Sequence, residues 1–159
     1  MGLTASVSGN HSIRIQNDQY MWITPSGVPL YDLQDKDLVK VYFESGDKKT
    51  AVDGKLKPSI EWHMQASIYK KLGKAVNAIV HTHSPYTLGI VMSAAHADND
   101  MFQKHVIEEA QKVVGNPVII PNMPSGSIES ANRVCEAFEG EVRVVGRRKA
   151  ITTFTVQGL

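Results

Sequence analysis

Alternation of apolar and polar residues dominates the first fifty positions. HSIRIQ alternates, NDQ supplies a turn, and YMWIT follows as a partner strand. LVKVYFE alternates again, SGDKK turns the chain, and a short segment near 50–52 is placed to pair back. Turns of hairpin length predict antiparallel pairing, because parallel neighbours need a long crossover. The period then changes. In KPSIEWHMQASIYKKLG, Ile60, Met64, Ile68 and Leu72 recur at i, i+4 and predict a helix, with Pro58 in its first turn and Gly73 as its stop.

AVNAIVHTH reads as a buried strand. Ser84 as an N-cap with Pro85 at the first helical position opens a helix to about Ala95. A polar loop over 96–100 precedes a helix in FQKHVIEEAQKVVG. PVIIPNMPSGS reads as a short apolar strand and a loop, and 128–138 as a helix. EVRVV and AITTFTV are expected to close the chain as a hairpin around 146–149. Helices mixed with mainly antiparallel strands predict an α/β layered fold rather than a doubly wound sheet. With no internal repeat, low-complexity tract or long linker, residues 1–159 read as a single domain. There is no glycine-rich dinucleotide fingerprint or phosphate-binding P-loop.

Composition narrows the function classes. An apolar content of 42% suits a core-forming globular chain. Lys and Arg total 17 against 16 Asp and Glu, a formal charge of +1 that makes no electrostatic case for nucleic acid or a membrane as partner. The dense basic run, GRRK at 146–149, has no aromatic interleaving and reads as a solvated turn. The single cysteine, Cys135, shares a helical face with Ala131, Val134 and Phe138, so a buried thiol in a reducing compartment is expected. No apolar run reaches the roughly 18 residues that cross a bilayer, and MGLTASVSGN lacks the pattern of a signal peptide. A cytoplasmic location is the expectation.

Candidate chemistry starts at AIVHTHSPYT. Residues i and i+2 of a strand share a face, so His81 and His83 project side by side, close enough to share one cation. Imidazole favours zinc and neighbouring transition metals. Two hydrogen-bonded polar residues at a strand end remain the alternative. Glu61 sits at a predicted helix start, where the helix dipole favours negative charge whether or not the carboxylate does chemistry. The loops SGNHS, TPSG and KPS offer hydroxyls, an amide and glycine-exposed N–H groups of the kind an anion needs, though each alone could be only a turn.

The order and spacing of these pieces are more specific. SGNHSIR, MWITPSGVPLYDLQDKDLVKV, KPSIEWHMQASIYKKLGKAVNAIVHTHSPYT and IIPNMPSGSIE resemble the class II aldolase/adducin family, over nearly the whole chain. The resemblance implies a three-layer α/β/α fold around a mainly antiparallel sheet. It implies His81 and His83 as two of three zinc ligands and Glu61 as the acid/base carboxylate. Asn10, Ser26, Gly27 and Ser59 take the phosphate-binding positions. A small sugar phosphate as substrate, a divalent metal as cofactor and a homotetramer with sites at subunit contacts follow from the same likeness. The chemistry is coherent. A cation polarises the carbonyl, a carboxylate of raised pKa moves a proton, and a distant phosphate orients the reacting carbons.

The sequence also departs from the family pattern. The third zinc histidine belongs in a His-Gly pair after a late apolar strand. Taking EVRVV as that strand and matching without gaps puts Arg148 there, and a guanidinium cannot ligate zinc. Glu61 or one of His11, His63, His96 and His105 could replace it, or Arg148 could itself act as an electrophile. Ile60 stands in place of a second phosphate-binding serine, Phe102 near a site tyrosine, and the chain reaches Leu159 without the family's C-terminal helix. Two functions follow: a metal-dependent lyase cleaving a ketose phosphate through an enediolate, or a degenerate member of the fold serving ligand binding or assembly.

Overall fold

The computed structural model describes residues 7–15, 19–43, 51–53, 55–85, 120, 123–138 and 150–154. The alternating segments form β1 (Asn10–Ile13), β2 (Tyr20–Ile23), β3 (Val39–Tyr42) and β4 (Ala51–Asp53). The apolar run after Val76 gives β5 (Ala78–Thr82), and AITTF gives β6 (Ala150–Phe154). They join in one sheet of order β4-β3-β2-β1-β5-β6. The pairs β4–β3, β3–β2, β2–β1 and β1–β5 are antiparallel, and β5–β6 is parallel. The fold is α/β on a mainly antiparallel sheet, as the periodicity predicts.

Helix α1 (Trp62–Leu72) follows the i, i+4 ladder and ends at Gly73. Its start differs from the expectation. Glu61 is the N-cap, and Ile60 lies before the helix with 61% of its surface exposed. The buried stripe is Trp62, Met64, Ile68 and Tyr69, packed on Met21, Ile23, Val39, Val41 and Ile79 of the sheet. Helix α2 (Ile128–Ala137) starts at Ser127, whose hydroxyl accepts the Ser130 N–H at 3.0 Å as an N-cap. It buries Ala131, Val134 and Cys135, with Phe138 packed beside them, as read from the spacing. Burial raises the Cys135 pKa, which suits an inert core thiol.

Strand β1 inverts the usual arrangement. Its apolar residue Ile13 is half exposed, as is Ile15 beyond it, while Asn10 and Ser12 are buried. Buried polar groups are stable only with partners, and α1 supplies them. The Tyr69 hydroxyl donates to the Ser12 carbonyl at 3.1 Å and lies 3.0 Å from Ser12 Oγ. Gln65 Nε2 donates to the Asn10 side-chain and backbone oxygens. Arg14 caps the other end of α1 through the Gly73 and Val76 carbonyls. These bonds set the height of α1 over β1, and with it the position of Glu61.

Pro85 is helical, as expected after Ser84. The remainder of that helix, the 96–100 loop, the FQKHVIEEAQKVVG helix and EVRVV lie outside the described residues. The predicted closing hairpin is accordingly seen only through its second strand, β6, and the neighbour of β6 is β5 in parallel.

Candidate active site

Three strand ends and two loops meet at one end of the sheet. Asn10 opens β1 opposite His81 near the end of β5, and Thr24 leaves β2 opposite His11, its N–H bonded to the His11 carbonyl. The TPSG and KPS loops join there through a bridge between Pro25 and Pro58. The Ser26 N–H donates to the Lys57 carbonyl at 2.9 Å and the Ser59 N–H to the Thr24 carbonyl at 3.1 Å. Ser26, Gly27 and Ser59 are thereby brought into adjacent loops, with Gly27 at φ 79°, a conformation that glycine adopts without strain. Ser59 is buried and its hydroxyl accepts the Glu61 N–H at 3.4 Å.

Glu61, at the α1 N-cap, points at β5. Its Oε2 lies 2.6 Å from His81 Nδ1 and accepts Asn10 Nδ2 at 2.9 Å; its Oε1 accepts the Ser125 hydroxyl at 2.9 Å. Asn10 Nδ2 is also 3.1 Å from His81 Nδ1, but a proton on Nδ1 directed at Glu61 leaves that nitrogen no lone pair for the amide. His81 is fully buried and His83 half-buried. Their Nε2 atoms face each other at 3.1 Å.

That arrangement selects one tautomer for the neutral form of His81. With Nδ1–H on Glu61, Nε2 carries the lone pair, the pattern by which a carboxylate orients a metal-binding histidine. Two nitrogens bound at about 2.0–2.1 Å to one tetrahedral zinc are about 3.3 Å apart, close to the separation seen. The pair therefore fits a divalent cation as two of its ligands. Among the described residues no group of three His, Cys, Asp or Glu is placed to hold a metal ion. The reason lies in Glu61, which occupies the Nδ1 side of His81, away from the nitrogen that faces His83.

Electrostatics differ from the expectation of a raised Glu61 pKa. Burial pushes the carboxyl up, but the hydrogen bond and charge of His81, with the Asn10 and Ser125 donors, outweigh it and bring the value to about 2. Glu61 is thus an ionised carboxylate throughout the physiological range. Burial, followed by the charge of His81, lowers His83, while Glu61 acts the other way. His11 is also lowered, first by burial.

The other candidate ligands separate from the pair. His11 alternates to the face of β1 opposite Asn10, and His63 stacks on Trp62 at 3.7 Å between ring centroids. His96, His105, Phe102 and Arg148 lie outside the described residues. Of the described strands, β1 and β6 flank the strand that carries the histidines, and β6 follows Arg148 in the chain. It begins at Ala150 opposite Ala78 and runs parallel to β5, so its C-terminal end is the one beside His81.

Sequence reasoning missed two contributors. Gln65 was hidden by its place on the core stripe of α1, where it is fully buried and holds Asn10. Ser125 belongs to the PNMPSGS loop, whose order along the chain does not show which carboxylate the serine meets. The glycine that follows it was the available signal; in the structure Gly126 has φ 71°, and a Cβ there would lie 2.8 Å from the Ile60 carbonyl oxygen, so the turn is seated on the chain beside Glu61.

Residues 1–154 match the family model described as the class II aldolase and adducin N-terminal domain. A Methanococcus maripaludis protein named L-fuculose phosphate aldolase is 33% identical over 134 residues, 84% of this chain and 66% of its own length. A Bacillus thuringiensis protein named 5-deoxy-D-ribulose 1-phosphate aldolase is 36% identical over 85 residues, 54% of this chain and 38% of its own. The chain thus spans about two fifths to two thirds of these relatives. A sugar-phosphate aldolase structure from Thermotoga maritima superposes with a TM-score of 0.73 at 20% identity, covering 87% of this chain and 71% of that one. An L-fuculose-1-phosphate aldolase structure from Thermus thermophilus gives 0.64 at 24%, covering 87% and 63%. At these identities the structural likeness speaks for the fold. Among the described residues no helix is long and apolar enough to cross a membrane.

Proposed function

The chain belongs to the class II aldolase and adducin family, and on that premise we propose that it is a metal-dependent lyase cleaving a small ketose phosphate through an enediolate. One observation carries the reading: Glu61, from the start of α1, reaches the ring of His81, which with His83 turns two nitrogens toward each other. In this proposal His81 and His83 hold the cation, zinc by their donor type. When bound, the cation supplies Lewis-acid polarisation of adjacent substrate oxygens.

Glu61 moves the proton. In the condensing direction it accepts the proton from the carbon beside the ketone, and in cleavage it returns that proton to the same carbon. The Asn10 and Ser125 hydrogen bonds favour its ionised form, ready as a base, and the burial around it favours neutralisation once substrate displaces water. The Ser26 and Ser59 hydroxyls, with Gly27 beside them in the paired loops, bind the phosphate, and binding energy there orients the reacting carbons. Asn10, expected on the phosphate, has its amide on Glu61; the same side chain stands between both tasks. Residues 1–159 act as one domain in a cytoplasmic homo-oligomer, tetrameric by family resemblance, with neither nucleic acid nor membrane as partner.

A second reading, a degenerate member used for ligand binding or assembly, is favoured by the two-histidine set among the described residues. Elemental analysis of protein without a histidine tag separates the two. About one divalent ion per chain, lost in His83→Ala, with cleavage abolished by chelator and restored by zinc, is expected of the lyase. No metal uptake and unchanged stability of His83→Ala would establish the degenerate reading, and undiminished cleavage in chelator would assign the electrophile to protein groups.

A further inference from the structure

Resting on the lyase reading above, we propose that Ser125 is a positioning residue that fixes the direction in which Glu61 presents its proton-accepting oxygen. The two carboxylate oxygens are used differently. Oε2 is shared by Asn10 at 2.9 Å and His81 at 2.6 Å, donors fixed on β1 and β5. Oε1 receives the Ser125 hydroxyl at 2.9 Å. With Oε2 committed to two donors, substrate's proton is exchanged at Oε1. Donors at Oε2 hold a single point of the carboxylate, about which the group can still rotate through coupled side-chain torsions, the last of them with a broad intrinsic profile. The Ser125 bond stops that rotation.

Ser125 is itself held against the backbone that carries Glu61. Gly126, at φ 71°, packs on the Ile60 carbonyl so closely that a Cβ would come within 2.8 Å of it. The Ser127 N–H closes the turn on the Pro124 carbonyl at 3.2 Å, and the Ser127 hydroxyl caps α2. Ties at 126 and 127 thus hold residue 125 over the chain at 60 and 61. An exposed serine without such a seat would gain little by fixing its hydroxyl, since ordering a side chain costs entropy.

The step it serves balances simply. The carbon beside the ketone gives its proton to Oε1, the C–H electron pair becomes the enediolate double bond, and the carbonyl π pair moves onto oxygen. The reverse returns the proton to carbon. Orientation of a base toward a C–H bond is where small displacements are expensive: about 1 Å of misplacement can cost a hundredfold in rate.

The probe is dihydroxyacetone phosphate, the hydroxyketone phosphate that retro-aldol cleavage of a 1-phosphorylated ketose releases. Exchange of its α-proton is followed by NMR in heavy water with zinc added, and its affinity by calorimetry. Ser125→Ala is expected to lower the exchange rate at saturation about tenfold to a hundredfold with affinity unchanged, and Ser125→Thr, which keeps the hydroxyl, to restore most of it. Equal rates in Ser125→Ala and wild type, while Glu61→Gln abolishes exchange, would overturn the role of Ser125 and leave the lyase reading standing. Loss of affinity in step with rate, unrescued by threonine, would make Ser125 a structural staple and also overturn it. A wild-type protein that binds the probe without exchanging it would remove the lyase reading and the role of Ser125 together.

Discussion

Replacing Tyr69 by phenylalanine deletes one oxygen atom from the core and tests how α1 is held over β1. The phenol is 1% exposed and makes two contacts, to the Ser12 carbonyl at 3.1 Å and to Ser12 Oγ at 3.0 Å. Losing both at neutral pH is expected to cost about 1–2 kcal/mol. Burial raises the Tyr69 pKa from 10.0 to about 12, against opposing effects of Ser12 and the Arg14 charge. A group raised in the folded state contributes stability that is fully present below the unfolded value and is lost as pH climbs through the folded one. Between pH 10 and 12 the wild type should therefore lose about 2–3 kcal/mol that Tyr69→Phe does not. The gap between the two proteins should close near about pH 11 and reverse above it. Urea denaturation followed by tryptophan fluorescence across this range measures the gap, and ionisation of other residues, common to both proteins, cancels in the difference. A gap that stays constant from neutral pH to the alkaline limit would refute the buried-latch account of Tyr69.

Three further outcomes are expected. Glu61→Gln should lower exchange and cleavage by about a hundredfold to ten-thousandfold with metal content and fold retained; unchanged turnover would take Glu61 out of the chemistry. Gly126→Ala should destabilise the protein by about 1–3 kcal/mol, because its backbone is left-handed and its Cβ would strike the Ile60 carbonyl; a thermal midpoint equal to wild type would show that the turn is not seated there. Ser127→Ala should cost about 1 kcal/mol through the lost cap on the Ser130 N–H, read by chemical denaturation, with no change in probe affinity.

Much of the fold was legible along the chain. Alternation located β1 to β3, the i, i+4 ladder located α1, and the spacing of Ala131, Val134 and Cys135 located α2. Local steric preference and burial share one period in each of these segments, so sequence order alone reports them. The HTH pair was legible for the same reason: two residues apart on a strand means one face. Ile60 misled because it continues the ladder by one step, whereas the helix begins after Glu61 and leaves that side chain in solvent. AITTF was legible as a strand, but its pairing with β5 was not, because a parallel neighbour is chosen across the fold rather than by a local turn.

The sequence by itself determined the class of the fold, the family, and the candidate residues Glu61, His81 and His83, since motif order and strand period are properties of the chain read in one dimension. Only the tertiary structure decided that β1 turns Asn10 and Ser12 inward and its isoleucines outward, that Glu61 takes the Nδ1 side of His81, and that its pKa falls instead of rising. Each of those depends on what a side chain meets from an element dozens of residues away. Solvation, donors and charge at such a meeting are set by distance in space, which separation along the chain does not encode.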